Sequence, residues 1–269
     1  MKFLVQNQPC YAYTGSKDFD PAKPSILFLH GAANDHSVWQ LQARYFAYHG
    51  YNAIAVDLPG HGKSMGTAKP SIGDYAQWVI AFLDNANIRD AALVGHSMGS
   101  LIAIDTALRF PDRVSSLALL GASIPMQVSD TLLGAAKNDT ETAFDMLNVW
   151  GHGPEAKIGR SPSPGMSLLG NYKRLLQQSA PGVLYGDLAA CGAYTPEPAS
   201  LGSIGCPALV LIGSRDQMTP AKAGKAVAGF LGNARTLTLE NVGHSMMTEA
   251  PGAVLSALRD HVNQSLTAR

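Results

Sequence analysis

Six short runs rich in apolar residues recur along the chain, and each is followed by glycine or a polar residue and then by a helix-like segment. The runs are 26–29, 52–56, 91–94, 117–120, 208–212 and 236–239. None alternates cleanly with polar residues, which is typical of strands covered on both faces. Residues 3–14, with Asn7 and Gln8 in the middle, instead predict an antiparallel hairpin at a sheet edge. Strands separated by helices indicate right-handed crossovers, so the sequence predicts an α/β fold with a mostly parallel sheet flanked by helices.

A long gap interrupts this rhythm, because 86 residues separate Gly121 from Ala208. A crossover usually needs about a dozen residues or somewhat more. Within the gap, helix starts are expected at Ser129 and at Asn138, the second with Glu141 in the capping-box position. Residues 161–165 break the segment, and 167–178 and 183–193 are again helical in pattern.

We therefore expect a helical cap of about four segments, inserted in the core after the strand that ends near Gly121. The predicted core domain comprises residues 1–123 and 200–269, and the predicted cap comprises 124–199. Most apolar residues of the cap are expected to be packing, since an apolar stripe at helical spacing is usually core. Possible pocket walls are Trp39, Met126, Met146, Trp150 and Tyr172.

Composition excludes several classes of partner. The 269 residues contain 20 Lys and Arg and 20 Asp and Glu, so no basic excess exists to neutralise nucleic acid or anionic lipid. Cys10, Cys191 and Cys206 show no CxxC spacing, which favours reduced thiols in a cytoplasmic protein over disulfides or a thiolate metal site. The apolar run near the N-terminus is too short for the apolar region of a signal peptide. No apolar stretch is long enough to span a membrane.

The segment Gly95-His96-Ser97-Met98-Gly99 follows the run 91–94 and precedes a helix-like segment. G-x-S-x-G in this context is typical of a sharp turn that exposes a serine hydroxyl at the top of a sheet. Side chains at the two glycines would collide with the neighbouring strand and helix. Ser97 would lie at a helix N-terminus, where free N–H groups favour a developing negative charge. An ordinary glycine-rich turn is the competing interpretation.

A serine hydroxyl is a weak nucleophile and needs a base that a carboxylate orients. Asp216 follows the run 208–212 and His244 follows 236–239, at strand ends where open α/β sheets bind their ligands. The chain order Ser97, Asp216, His244 is the one expected on such a scaffold. His96 is expected to point away from Ser97 and to be structural.

Two other acids compete with Asp216. Asp105 lies eight residues into the predicted helix after Ser97, about 12 Å along its axis, which is too far from a base at the sheet edge. Asp57 is better placed to open the turn at Pro59 and Gly60. The sequence therefore favours Asp216 as the acid.

Loop histidines and one glycine-rich segment suggest other sites. No HExxH or HxHxDH arrangement accompanies His30, His36 and His61, so we expect solvated or locally hydrogen-bonded side chains and no metal. Segment 62–64 lacks the earlier glycine of a phosphate-binding loop, since position 57 is Asp. No cofactor is expected.

Together these motifs resemble those of the α/β-hydrolase superfamily, in particular its lid-bearing Ser-His-Asp members such as carboxylesterases, lactonases and carbon–carbon bond hydrolases. The resemblance also rests on Leu29-His30-Gly31-Ala32, on the segment 57–64 (Asp-Leu-Pro-Gly-His-Gly-Lys-Ser) and on the segment 187–191 (Asp-Leu-Ala-Ala-Cys). It covers essentially the whole chain. These motifs are specific for the fold and the triad, and they say little about the substrate.

The resemblance implies that Ser97 is the nucleophile, His244 the general base and Asp216 the residue that orients it. It also implies an oxyanion hole formed by the backbone N–H groups of Ala32 and Met98. Ala32 is smaller than the residue often found there, so the adjoining pocket is expected to be roomier.

The expected function is hydrolysis of an ester or related acyl bond through an acyl-enzyme on Ser97. The apolar cap predicts a small to medium, uncharged small-molecule substrate, because Lys157, Arg160, Lys173 and Arg174 have the pattern of solvated faces. Alternatives are a carbon–carbon bond hydrolase or enol-lactonase with the same triad, and a ligand receptor with vestigial activity. Acyl transfer and perhydrolysis also stay open, since water access decides what attacks the acyl-enzyme. The sequence does not predict the oligomeric state.

Overall fold

Eight strands form one sheet in the computed structural model, which describes residues 1–267. The strands are β1 (Lys2–Val5), β2 (Gln8–Tyr13), β3 (Ser25–Leu29), β4 (Asn52–Val56), β5 (Ala91–His96), β6 (Val114–Leu120), β7 (Ala208–Gly213) and β8 (Ala234–Leu239). Their order is β1-β2-β4-β3-β5-β6-β7-β8. Only the β1–β2 and β2–β4 pairs are antiparallel among the described strands. The predicted mostly parallel sheet and edge hairpin are confirmed.

Twelve α-helices lie within the described residues. They are α1 (Gln40–Tyr48), α2 (Ile72–Asn85), α3 (Met98–Arg109), α4 (Asp130–Asn138), α5 (Thr140–Trp150), α6 (Pro154–Lys157), α7 (Leu168–Gln177), α8 (Val183–Ala193), α9 (Pro198–Leu201), α10 (Ala221–Phe230), α11 (Met246–Glu249) and α12 (Pro251–Thr267). In residues 1–267, none of these helices combines the length and the apolar character needed to cross a membrane.

Side chains of the parallel strands alternate between two cores, one on each face of the sheet. In β3, Leu27 and Leu29 belong to the core that α2 and α3 cover, whereas Ile26 and Phe28 belong to the core that α1 and α12 cover. All four side chains are at most 1% exposed. Because both faces are buried, neither face of these strands can be polar, which explains the continuous apolar runs.

Helices α4 to α8 lie between β6 and β7, and we call them the α4–α8 segment. Its interior is a separate apolar cluster that includes Phe144, Leu147 and Leu188 and also reaches Ala33, in the loop after β3. The division of the chain into core and cap stays a prediction. The predicted boundary between residues 199 and 200 falls inside α9, whose Leu201 is wholly buried in the core that α2 and α3 cover.

The capping residues in the sequence predicted the starts of α4 and α5 in this segment to within one residue. Ser129 caps α4, accepting a hydrogen bond from Leu132 N, as expected. The predicted second start at Asn138 is wrong by one residue, because Asn138 ends α4 and the Asp139 carboxylate caps α5 through Thr142 N at 3.3 Å. The short helix α6 brings the segment to five helices instead of the four expected.

Candidate active site

Ser97 lies at the turn between β5 and α3 with φ 53° and ψ −119°. A positive φ in a non-glycine residue costs on the order of 1–3 kcal/mol and persists only where surrounding contacts hold it. Here Ser97 N donates to Leu120 O at 2.9 Å, and Ser97 O accepts from Ser100 N at 2.9 Å and Ser100 Oγ at 2.6 Å. The turn is therefore fixed on both sides of the serine.

Close packing requires both glycines of this turn. A Cβ on Gly95 would lie 2.2 Å from the carbonyl oxygen of Gly99, and a Cβ on Gly99 would lie 2.2 Å from that of Leu29. No side chain fits at such distances unless the backbone moves. The glycines thus let α3 start directly against β5 and the end of β3.

The loop after β3 contacts the serine. A Cβ on Gly31 would lie 3.2 Å from Ser97 Cβ, and Ala32 lines the same cavities as Ser97. Met98 is the first residue of α3, where N–H groups have no partner within the helix. Ala32, which lines the same cavities as Ser97, and Met98, which follows Ser97 in the chain, are therefore both near the serine.

Asp216 and His244 come together at the same edge of the sheet, after β7 and β8. His244 Nδ1 lies 2.7 Å from Asp216 Oδ2, and Thr219 Oγ1 donates to the same oxygen at 2.7 Å. Asp216 Oδ1 accepts from Met218 N and Thr219 N, both at 2.8 Å. Burial alone would raise the pKa of Asp216, but His244 and the Thr219 hydrogen bonds lower it overall. The acid is held as a carboxylate facing the imidazole.

His244 and Ser97 line one small cavity of about 30 Å³. Within the described residues no hydrogen bond joins the Ser97 hydroxyl to His244, and such bonds in free enzymes often tighten only when substrate binds. Gly121, with φ 62°, closes the other side of the ring: a Cβ there would lie 2.8 Å from His244 Cε1. The structure thus brings the three predicted triad residues to one place.

The His96 side chain holds the backbone of His244. His96 Nε2 donates to the carbonyl oxygen of His244 at 2.9 Å, which leaves His96 Nδ1 as an acceptor. Burial, together with the nearby His244 ring, lowers the pKa of His96 to about 3. His96 is a neutral residue that fixes the His244 loop.

Sequence reasoning missed a buried network around Asp187 of α8. Asp187 Oδ2 accepts from Ala33 N at 2.9 Å and His61 Nε2 at 2.8 Å, and Asp187 Oδ1 accepts from the Tyr75 hydroxyl at 3.0 Å. His61 Nδ1 also donates to Pro59 O. Burial opposes protonation of His61, but Asp187 and these hydrogen bonds raise its pKa. A single acid among the apolar residues of 183–193 was the available signal.

The other loop histidines form local hydrogen bonds, which was one of the two alternatives expected for them; the other was exposure to solvent. His30 is not solvated: Nδ1 donates to Gly31 O at 2.8 Å and Nε2 accepts from Leu58 N at 3.1 Å. Burial and the proximity of His61 lower the pKa of His30 to about 4, so it is neutral.

Among the described residues, one group of side chains is arranged so that it could hold a cation. It consists of Asp35, His36 and Asp57. Asp57 already accepts from His36 N and His36 Nδ1, both at 2.7 Å, and from Lys63 N at 2.8 Å. These contacts explain why Asp57 is buried, and they fix the turn at 57–63.

A larger cavity of about 290 Å³ opens on Ser97. Its walls are Ala32, Ser97, Met126, Gln127, Val128, Ser129, Leu132, Trp150, Leu188, Cys191, Gln217, Met218 and Thr219. Of the five residues considered as possible walls, each of which was expected to be packing, Met126 and Trp150 line it and Tyr172 lines the smaller cavity. Trp39 and Met146 line neither. No Asp, Glu, Lys, Arg or His side chain is among these walls. Another cavity of about 320 Å³ lies among the starts of β3, β5 and β6, remote from Ser97.

Comparison with known proteins places these features in a family. The family model described as alpha/beta hydrolase fold matches residues 24–251. The (E)-2-((N-methylformamido)methylene)succinate hydrolase of Acinetobacter baylyi is 26% identical, over 87% of this chain and 88% of its own. A pimeloyl-(acyl-carrier protein) methyl ester esterase of Chromobacterium violaceum is 29% identical, over 89% and 94%.

Among solved structures, that of Est816, described as an N-acyl homoserine lactone degrading enzyme, superposes with a TM-score of 0.83. It is 25% identical and the match covers 97% of this chain and 99% of that one. These three proteins are described with three different activities, so the family fixes the fold and hydrolase class more firmly than the substrate. The chain belongs to the alpha/beta hydrolase fold family.

Proposed function

We propose that this hydrolase cleaves an ester bond through an acyl-enzyme on Ser97. His244 removes the hydroxyl proton as Ser97 Oγ attacks the acyl carbon, and Asp216 holds the imidazole in the required tautomer. The imidazolium then gives that proton to the leaving alcohol. Water attacks the acyl-enzyme, again with His244 as the base, and the acid product leaves.

The oxyanion that forms at the acyl carbon would be stabilised by the backbone N–H groups of Ala32 and Met98. Each such donor typically contributes about 3 kcal/mol of transition-state stabilisation. The two loops that carry them pack directly on each other through Gly31 and Gly99. Little reorganisation is then needed when the charge develops.

One observation carries the proposal: Ser97 is held with φ 53° at the start of α3, between a 290 Å³ cavity and the His244 ring. A strained serine at a helix N-terminus, facing a cavity and a histidine paired to a buried carboxylate, has the arrangement of an activated nucleophile. A glycine-rich turn without function would not require this strain.

The substrate is proposed to be a small to medium, largely apolar and uncharged ester, including a cyclic ester. The walls of the larger cavity carry no ionised side chain of the Asp, Glu, Lys, Arg or His type. Two cations of the α4–α8 segment form ion pairs at the surface: Arg160 pairs with Glu155, and Lys173 pairs with Asp145. The cytoplasmic location and the lack of nucleic-acid and membrane partners stay predictions from composition.

The test combines labelling with a substrate panel. A fluorophosphonate probe should label the wild type at Ser97, and p-nitrophenyl esters graded by acyl length, together with lactones, should reveal turnover. Ser97→Ala should abolish both labelling and turnover while leaving thermal unfolding close to that of the wild type. Full activity in Ser97→Ala would overturn the assignment. Binding of ligands without turnover would favour a receptor.

A further inference from the structure

The 30 Å³ cavity differs from the larger one in its size and in its contact with two histidines. Its walls include Gly31, Ala32, Asn34, His96, Ser97, Tyr172 and His244. It therefore contacts both the serine and the histidine, and unlike the larger cavity it is lined by His96 and His244. A single water needs roughly 10–15 Å³ of such space together with two to four polar partners. The cavity is large enough for water and too small for most of a substrate.

Two polar atoms of this lining are buried without a partner in the part of the chain that the structure describes. They are Asn34 Oδ1 and His96 Nδ1, and their residues are 3% and 2% exposed. Buried polar atoms normally have a partner, so each of these two atoms points to a ligand that can donate a hydrogen bond. Tyr172 adds a hydroxyl that interacts with the Asn34 side chain.

We propose that this cavity binds the water molecule that hydrolyses the acyl-enzyme, with Asn34 as its main water-binding side chain. The inference rests on the proposed roles of Ser97 and His244. The water donates one hydrogen to Asn34 Oδ1 and the other to His244 Nε2, so a lone pair of its oxygen faces the acyl carbon.

The reaction step balances without any further reactant. The water oxygen forms a bond to the acyl carbon as His244 Nε2 takes its proton. The tetrahedral intermediate then breaks its bond to Ser97 Oγ, and His244 returns that proton to the serine. Acyl transfer to another acceptor is disfavoured, because the 30 Å³ cavity beside His244 admits water more readily than a larger nucleophile.

The test separates the two half-reactions. Asn34→Leu keeps the approximate size of the side chain and removes the acceptor. Fluorophosphonate labelling, which needs no water, should stay within about twofold of the wild-type rate. With p-nitrophenyl acetate, decay of the acetyl-enzyme should slow about tenfold, the effect of one lost hydrogen bond in a rate constant, and a burst of p-nitrophenolate should appear or grow.

A matched control is Asn148→Leu. Asn148 is also buried and its Oδ1 also has no partner within the described residues, but it does not line either cavity beside Ser97. This control should leave the decay rate unchanged. If Asn34→Leu fails to fold, Tyr172→Phe carries the test, with decay expected to slow about threefold through the loss of the hydroxyl beside Asn34.

Three results would contradict the inference. Equal slowing of labelling and decay would show that Asn34 is only structural, and an unchanged decay rate would show that it does not hold the water. A shift of acyl-length preference with normal decay would show that the cavity holds part of the substrate. Failure of the probe to label Ser97 in the wild type would instead overturn the proposed function itself.

Discussion

The Asp187 carboxylate lies 2.8 Å from the Nε2 of His61, and neither side chain reaches solvent. Asp187 belongs to α8 and His61 to the loop after β4. Because the same Asp187 oxygen accepts from Ala33 N, one carboxylate joins the α4–α8 segment, the turn at 57–63 and the loop that carries Ala32. The position of a proposed oxyanion donor therefore depends on a residue from the inserted helices.

Asp187→Ala should destabilise the protein by about 3–5 kcal/mol, the usual cost of removing one member of a buried charged pair. It leaves His61, Tyr75 and Ala33 N without their acceptor. Asp187→Asn keeps the size and one acceptor oxygen, so it should cost less stability than the alanine variant. Unfolding free energies from urea titration check both values. A loss below about 1 kcal/mol in Asp187→Ala would show that the network contributes little.

Buried neutral histidines should make stability fall in mild acid. The pKa of His30 is about 4 in the folded protein, so the unfolded chain binds this proton first as the pH falls. The contribution is present above about pH 6.5 and is lost as the pH falls toward 4, with a slope of up to about 1.4 kcal/mol per pH unit. His96, with a pKa of about 3, acts in the same direction. Urea titrations between pH 7 and 4.5 should show this decline, and His30→Gln should reduce its slope.

His61 should act in the opposite direction, because its pKa is raised in the folded protein. Its contribution to stability is complete below about pH 6.5 and is lost as the pH rises through the folded-state pKa. His61→Gln should therefore lose more stability relative to wild type at pH 6 than at pH 9. The same urea titrations at the two pH values measure this difference. An equal loss at both would mean that His61 is neutral throughout.

The sheet and the site loops could be predicted because each leaves a local signal. Strands buried on both faces must be apolar, so β4 was predicted with its observed bounds. The strained turn at Ser97 requires glycines on both sides, and these are visible as a motif. Other strand ends were not predicted. β6 begins at Val114, three residues before the predicted start at residue 117, and the prediction missed this because Ser115 and Ser116 interrupt the apolar pattern.

Contacts between distant segments left no comparable signal. Asp187 and Ala33 are 154 positions apart, and nothing in either sequence context specifies their hydrogen bond. The same holds for Asn34, whose unpaired Oδ1 becomes meaningful only when the small cavity beside Ser97 is known. The roles of these residues follow from tertiary packing, which local propensity and spacing do not encode.

Asp216→Asn should lower kcat by roughly 10⁴-fold with little effect on folding. The amide oxygen can still accept from Met218 N and Thr219 N, but the amide N–H would face His244 Nδ1 and force the wrong tautomer. Thr219→Val is the matched control: it removes one hydroxyl at 2.7 Å from Asp216 and keeps the Asp216–His244 bond. We expect a loss of about tenfold or less there. Steady-state kinetics on p-nitrophenyl acetate measure both, and an Asn variant within tenfold of wild type would argue against the triad.

Gly121→Ala should impair catalysis more than stability, because its methyl group would lie 2.8 Å from His244 Cε1 and 2.9 Å from Nδ1. The ring must move away from Asp216 or Ser97 to make room, so kcat should fall by about 100-fold or more, as for other small displacements of catalytic groups. Gly159→Ala is the control, since Gly159 also has a positive φ, 83°, but nothing lies within 4 Å of its added Cβ. Both variants should lose about 1–2 kcal/mol of stability from the left-handed backbone, and only Gly121→Ala should lose activity. Thermal unfolding and kinetics on the two proteins separate backbone strain from displacement of His244. Equal activity in the two variants would contradict the prediction that catalysis depends on the position of the His244 ring.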